Sequence, residues 1–461
     1  MFKRNLIVGM AVCNLIWVSG VLAAETVAPE AAGSTLSALS QTLSFDEALR
    51  LAVRNNKTYL MQVERETAAS AQWWQASLGF GPTGSFQAGY VLDNKPQTMS
   101  LDLGNMFGGP SVPQEMALAT NYYSGQLSVS QPIFTGGKIF NAFRLAGLQY
   151  DMARDATRLA HGQLYLDITQ AYYGAVVNEK MLSVMETSLS QLNQHLNVVK
   201  SRVREGAASN YDLLRSEVQV ANLEPAVIKI RTLVILAKRS LAAALGLETT
   251  HEIKTSGTLP IVEEIWPPLD EMQRRAQVQR LELKNLDRAR RLADIGTSLA
   301  LAANAPNLAL TGAWTYYDTN DSQFPPEGAN LKHAWQVGVG VSWPFWDNLS
   351  VIPKVQAAAA RTREAELGLA ALKDGIKIEV EGAYLTLTSA LQTLQAQKKN
   401  AQLAQEGYRI AEQQYANGVM TNLDVMDAQL ALNQAESNYL QTQYEYIQAR
   451  IKLHRAIGDD I

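Results

Sequence analysis

The chain has 461 residues, with 40 Lys and Arg against 44 Asp and Glu, a net charge of −4, and one cysteine. That acidic balance makes a poor nucleic-acid binder, because phosphate affinity comes from clustered Lys and Arg, and no nucleic-acid partner is expected. A single cysteine excludes an internal disulfide and any thiolate-rich metal site.

The first residues, MFKRNLIVGMAVCNLIWVSGVLA, have a Lys3/Arg4 charged start, an apolar stretch and small residues at Val21 and Ala23. They are expected to be a secretory signal peptide over residues 1–23. Its removal would take Cys13 with it and move the net charge from −4 to −6. Residues 24–43 are expected to be a flexible leader. SFDE at 44–47 is a helix-opening capping box, predicting a helix from Ser44 to about Leu78. The Gly/Pro-rich stretch at 94–115 is expected to be a loop, and 122–134 a strand. From Gly137 to Gly206 nothing stops a helix, which at 1.5 Å per residue would be about 100 Å long. After a glycine turn comes a helix of about 37 residues, with a kink expected at Pro225. Residues 247–268, containing Pro260, Pro267 and Pro268, are expected to be a linker.

The same order then returns: a helix from Leu269 to about Ala303, strands at 308–317 and 334–345, a long helix from Val351 to Gly418, and a helix over 421–457. Residues 459–461 form a tail. Gly206 and Gly418, Asp212 and Asp424, and Gly246 and Gly458 are each 212 apart, and QPIF (131–134) falls on WPFW (343–346) at the same shift. Upstream the shift is 224, so the first copy holds 12 extra residues, placed in 94–115. Two homologous repeats, 44–246 and 269–458, follow. In the last helix Leu423, Met426, Leu430, Asn433, Ser437, Leu440, Tyr444, Ile447 and Ile451 mark a coiled-coil seam.

The strands alternate. Leu127, Val129 and Ile133 oppose Gln126, Ser128 and Ser130; Trp335, Val337, Val339, Val341 and Trp343 oppose Gln336, Gly338, Gly340 and Ser342. A soluble antiparallel sheet with one buried face is one reading. The other is a membrane sheet, because Trp335 and Trp343 bracket about 27 Å of strand and, with Trp314, could form aromatic girdles. Four strands cannot close a barrel, and open edges are not tolerated in lipid, so a membrane sheet requires several chains.

No catalytic constellation is present in the sequence. Histidines 161, 195, 251, 333 and 454 are scattered, with no HExxH pair, GxSxG elbow or phosphate loop. No enzyme activity, cofactor or metal site is expected. Ser209-x-x-Asp212 and Thr421-x-x-Asp424 are spaced as capping boxes, which gives both aspartates a local duty. Asp427 has none, and its repeat partner is Arg215.

SFDEALRLAVRNN (44–56), QPIFTGGKI (131–139), the duplicated helix–strand plan and YANGVMTNLDVMDAQLALNQAE (415–436) together resemble the TolC family of outer-membrane efflux and secretion channels. The resemblance implies a mainly helical homotrimer. Its 12-stranded β-barrel, four strands per chain, would sit in outer-membrane lipid and continue into the periplasm as a barrel of coiled-coil helices. It implies an exit duct of a tripartite efflux or type I secretion system, partnered by a periplasmic adaptor and an inner-membrane transporter. The adaptor would dock on Gly206, Ala207, Gly418 and Val419, and the periplasmic gate would lie at Asp424, Asp427, Tyr415, Asp212 and Arg215. The basic residue sometimes found at position 420 is Met420 here; from the repeat asymmetry alone, Arg215 is the expected substitute partner for Asp427. A glycine pair common at the second strand–helix junction is replaced within WPFWDNLSVI. The rival reading is a periplasmic coiled-coil scaffold or adhesin. Cargo is open.

Overall fold

The computed structural model describes residues 42–92, 98–102, 113–117, 121–248, 253–262, 264–318, 332–347 and 349–459. The expected signal peptide, most of the leader and the last two residues of the tail lie outside these. In chain order the elements are α1 (Phe45–Asn55), α2 (Lys57–Leu78), β1 (Thr83–Leu92), β2 (Thr98–Asp102), β3 (Pro113–Ala117), β4 (Asn121–Phe134), α3 (Lys138–Arg204) and α4 (Asn210–Ala244). There follow α5 (Leu269–Gln279), α6 (Leu281–Ala302), β5 (Asn307–Asp318), β6 (Lys332–Ser342), α7 (Val351–Ala416) and α8 (Asn422–Ile457). The fold is mainly helical with a small antiparallel sheet. The shorter α4 and α8 start 212 residues apart, and the long helices α3 and α7 start within one residue of that shift.

Three expectations are corrected. The stretch at 94–115 is not only loop, because β2 and β3 within and beside it pair as an antiparallel hairpin, Thr98 opposite Ala117 and Asp102 opposite Pro113. The helix expected from Ser44 to Leu78 breaks at Asn56 (ψ 113°), and its counterpart breaks at Arg280 (ψ 123°), 224 residues on. The cause is a helix end arriving from far along the chain. Gly246 (φ +74°) comes so close to α1 that a Cβ there would lie 2.2 Å from the Asn55 carbonyl oxygen, and Gly458 (φ +85°) presses likewise on Arg280. Asn56 Nδ2 donates to the Ala244 carbonyl at 2.8 Å, stitching the break to the end of α4. The third correction is the α8 seam. Met426, Asn433, Ile447 and Ile451 are buried as expected, but Leu423 and Leu430 are exposed while Asn422, Val425, Gln429 and Leu432 are buried. Pro225 lies inside α4 without ending it.

Two compact units are each built from both repeats. One holds residues through Asn56 with Leu164–Glu264 and Leu387–Arg450. In it Ser44 opens α1 with the expected capping box to Glu47. Phe45 meets Tyr165, Tyr172 and Tyr173 at 5.3–5.7 Å, and Tyr172 Oη donates to the Leu43 carbonyl at 2.8 Å. The other unit holds Lys57–Gln163, Ile265–Thr386 and Ile451–Ile461, including the sheet. There the nearly buried Arg280 guanidinium bonds Glu282 (3.0 Å) and Glu379 (2.5 Å), Arg288 pairs with Asp155, and Trp73 stacks on Tyr150 at 5.8 Å.

The two strand–helix junctions solve one geometry with different residues. Gly136 and Gly137 take φ +63° and +83° before α3; before α7, Leu349 takes φ +59° at the place of Gly137. A leucine in the left-handed region costs about 1–2 kcal/mol relative to an ordinary conformation.

Candidate functional site

The sheet runs β1-β4-β5-β6. Its register aligns Phe86, Leu127, Trp314 and Trp335 in one row across all four strands. The next row on the same face is Gly84, Val129, Gly312 and Val337. These side chains are exposed: Phe86 69%, Leu127 46%, Trp314 46%, Trp335 74%, Val337 67%. Val339, Val341 and, past the strand end, Trp343 and Phe345 continue the apolar face and are exposed too. The opposite face is small and polar. Ser85, Ser128, Ala313 and Gln336 share one row, with Ser85 Oγ and Ser128 Oγ 2.7 Å apart. Trp343 is held by its Nε1, which donates to the Asn304 carbonyl at 3.1 Å. Apolar side chains turned out over a whole sheet face are a large unfavourable exposure in water, about 25 cal/mol per Å2, and cost nothing in hydrocarbon.

The helix tips lie in the first unit and are copies of each other. After α3, Gly206 (φ +74°) and Ala207 donate to Val203 and Arg202 carbonyls at 3.1 and 2.7 Å. After α7, Gly418 (φ +75°) and Val419 donate to Tyr415 and Gln414 carbonyls at 3.0 and 2.9 Å. Each is a Schellman stop, which needs glycine for its left-handed residue. The next helix then starts with a capping box. Ser209 N and Oγ donate to Asp212 Oδ2 (3.1 and 2.6 Å), and Thr421 N and Oγ1 donate to Asp424 Oδ2 (2.8 and 2.6 Å). Hydrogen bonds from Ser209 and from Thr421, side chain first, hold the two carboxyls below the ordinary carboxylate range; Asn422 and Arg215 add to this at Asp212.

Asp427 is exposed and Arg215 half-buried, and among the described residues no ion pair joins them within the chain. Tyr415 is buried beneath Arg202, whose guanidinium carbon lies 4.3 Å from the ring centroid, and its ring is 5.0 Å from that of His195. Burial pushes the tyrosine hydroxyl up, against the field of Arg202. Arg202 also donates to the Ala416 carbonyl at 2.8 Å, tying α3 to the end of α7. Val419 is 74% exposed at the tip.

The sequence did not mark the polar hub beside these tips. Asn422, 4% exposed, receives a hydrogen bond from His195 Nε2 at 2.7 Å and donates to the Asp212 carbonyl and Ser216 Oγ, both at 3.1 Å. Because both amide hydrogens go to α4, its oxygen must accept, so His195 is the Nε2–H tautomer. Burial lowers the His195 pKa, opposed by the Asn422 bond. Further along, Gln429 Nε2 donates to Gln191 Oε1 at 3.0 Å and Ser188 Oγ to Asn433 Oδ1. The spacing Ser188, Gln191, His195 was the one available signal, a polar stripe at three- and four-residue steps.

A sheet apolar on one face and small and polar on the other, joined to helices about 100 Å long, defines a subunit of an outer-membrane channel. The model of the family described as outer membrane efflux protein matches residues 48–247 and 272–459, and the chain belongs to that family. The resemblance to TolC-like channels is thereby borne out, and the scaffold reading falls. The chain is similar to the probable efflux pump outer membrane protein TtgC of Pseudomonas putida, 24% identical over 74% of this chain and 69% of that one. It is similar to nodulation protein T of Rhizobium leguminosarum bv. viciae, 22% identical over 87% and 79%. Among solved structures, the Campylobacter jejuni CmeC outer membrane channel superposes with a TM-score of 0.75 at 15% identity, covering 90% of this chain and 85% of that one. The chain is an outer-membrane efflux channel.

Proposed function

We propose that three copies form one duct, with a 12-stranded barrel in outer-membrane lipid and a periplasmic barrel made from the long helices. The sheet carries the reading. Its apolar face is exposed, and β1 and β6 end it with an unpaired edge each among the described residues. An edge left open in hydrocarbon costs several kcal/mol for each unsatisfied backbone group, so the edges must be filled by further copies. Trp314, Trp335 and Trp343 are the girdle residues. The duct takes cargo from an inner-membrane transporter through an adaptor that seats on Gly206, Ala207, Gly418 and Val419. We read residues 1–23 as the signal peptide and 24–43 as leader, with repeats 44–246 and 269–458 joined by 247–268 and a tail at 459–461.

The gate is assigned to Asp424 and Asp427 with Tyr415, Asp212 and Arg215 behind them. Around a threefold axis the two acids make six carboxylates in two adjacent layers, which concentrates negative potential and attracts cations. Asp424 is occupied as a cap, so Asp427 is the more available charge. Asp424→Asn with Asp427→Asn should weaken block by multivalent cations in planar bilayers at least tenfold. Unchanged block would remove the gate assignment while leaving the duct.

A further inference from the structure

The helix breaks at Asn56 and Arg280 share one plan, each with a glycine from a distant helix end pressed against it. Beside the second break, within the second unit, lies a cavity of 850 Å3 between α2, α3, the start of α6 and the end of α8. Pockets that hold small organic molecules run from about 300 to 1,000 Å3. The acids in its wall are already engaged, Glu282 by Arg280 at 3.0 Å, and Asp459 by Arg275 at 2.8 Å and His454 at 3.0 Å. Three cations are left over. Arg158 and Lys284 are exposed and in no ion pair among the described residues, and the half-buried Arg455 donates to the neutral Gln163.

The other repeat does without them. Arg158, Lys284 and Arg455 fall there on Ala370, Leu60 and Ala243, so a break of this plan folds with none of the three charges. Gly162 points the same way. It lines the cavity from inside the 67-residue α3, where glycine weakens a helix relative to alanine, and a Cβ there would meet nothing within 4 Å. No neighbour requires the missing side chain, and what its absence provides is room. The other repeat has Asp374 at this place. Part of the wall is apolar: the Tyr59 ring, edge-on to His161 at 6.0 Å, with Leu159 and Leu281. The cations reach the cavity from three helices, α3, α6 and α8, which suits a ligand with separated charges better than one compact ion.

We propose that this cavity binds a small organic anion carrying several carboxylates on an apolar body. Arg158 and Arg455 offer guanidinium forks that match carboxylates, Lys284 adds a point charge, and Tyr59, Leu159 and Leu281 receive the body. The site is made within one chain, so it stands or falls apart from the ring of copies. The probe is trimesate, a benzene ring with three carboxylates, titrated calorimetrically into the full chain in detergent at low salt. It should bind and raise the thermal midpoint. Arg158→Ala with Lys284→Leu installs the residues that the other break already uses, and should weaken binding at least tenfold. Lys284→Arg should keep it within threefold, and benzoate, with one carboxylate, should bind the parent chain at least tenfold more weakly than trimesate. Gly162→Leu fills the cavity and replaces glycine with a good helix former. Binding should therefore fall at least tenfold while the midpoint of the unliganded chain stays or rises; if this variant fails to fold, the charge pair decides alone. A parent chain that takes up no trimesate overturns the site. So does equal affinity in the Arg158→Ala, Lys284→Leu chain, which would place the binding elsewhere.

Discussion

The two helix tips are the same device in different surroundings. From Gly206 to Asp212 and from Gly418 to Asp424 the chain makes one Schellman stop and one capping box, bond for bond. Yet Asn422 is 4% exposed and tied to three groups, whereas Asn210, the same residue at the same position, is exposed. Local sequence therefore built the turns, and the neighbours decided what each turn does. The second tip is clamped to α3 and α4; Asn210 at the first is exposed.

The largest expected effect tests that contrast directly. Asn422→Ala strands the buried His195 N–H, while Ser216 Oγ keeps its own bond to the Asp212 carbonyl at 2.9 Å, and should cost about 2 kcal/mol. Asn210→Ala, at a position exposed in the chain, should cost about 0.5 kcal/mol or less. Equal losses in chemical unfolding would show that the hub carries no weight.

The strand–helix junctions give the next contrast. Leu349 sits in the left-handed region where its counterpart is Gly137. Leu349→Gly should raise the thermal midpoint, gaining about 1 kcal/mol once the entropy of an added glycine is set against the strain removed. Gly137→Ala should move it the other way by about 1–2 kcal/mol. A lowered midpoint for Leu349→Gly would mean the leucine side chain makes contacts worth more than its backbone costs. The capping hydroxyls come close behind. Ser209→Ala and Thr421→Ala should each cost about 1 kcal/mol of helix stability, and to the same extent, since the two boxes have the same bonds.

Much of this molecule was legible because its signals are local and repeated. Capping boxes, glycine stops, the alternation of 122–134 and 334–345 and the 212-residue echo are all written within short stretches. What escaped was set by partners distant in sequence. Nothing in VRNNKTYL forbids a helix through Asn56; the break comes from Gly246 pressing on Asn55, nearly 200 residues away. The α8 seam was misplaced because a periodic apolar pattern names a stripe without saying which neighbour covers it. Leu423 and Leu430 belong to a face that this chain does not bury. Asn422 could not be told from Asn210, since both follow a capping hydroxyl and precede a capping aspartate by two residues.

The smallest effect concerns the histidine in the hub. Burial depresses the His195 pKa below its ordinary 6.5, with the Arg202 charge acting in the same direction and the Asn422 bond and Glu412 opposing. The unfolded chain then binds a proton more readily than the folded one. Stability is complete above the ordinary value and falls as pH drops from about 6.5 toward the folded pKa. His195→Gln keeps a side-chain amide donor for Asn422 and removes the titration, so the decline in thermal midpoint between pH 7 and pH 5 should shrink relative to the parent chain. If the variant shows the same decline, the acid sensitivity belongs to carboxylates elsewhere. If the decline vanishes and open probability at pH 5.5 also returns to its value at neutral pH, the clamp inside the chain has a share in closing the entrance.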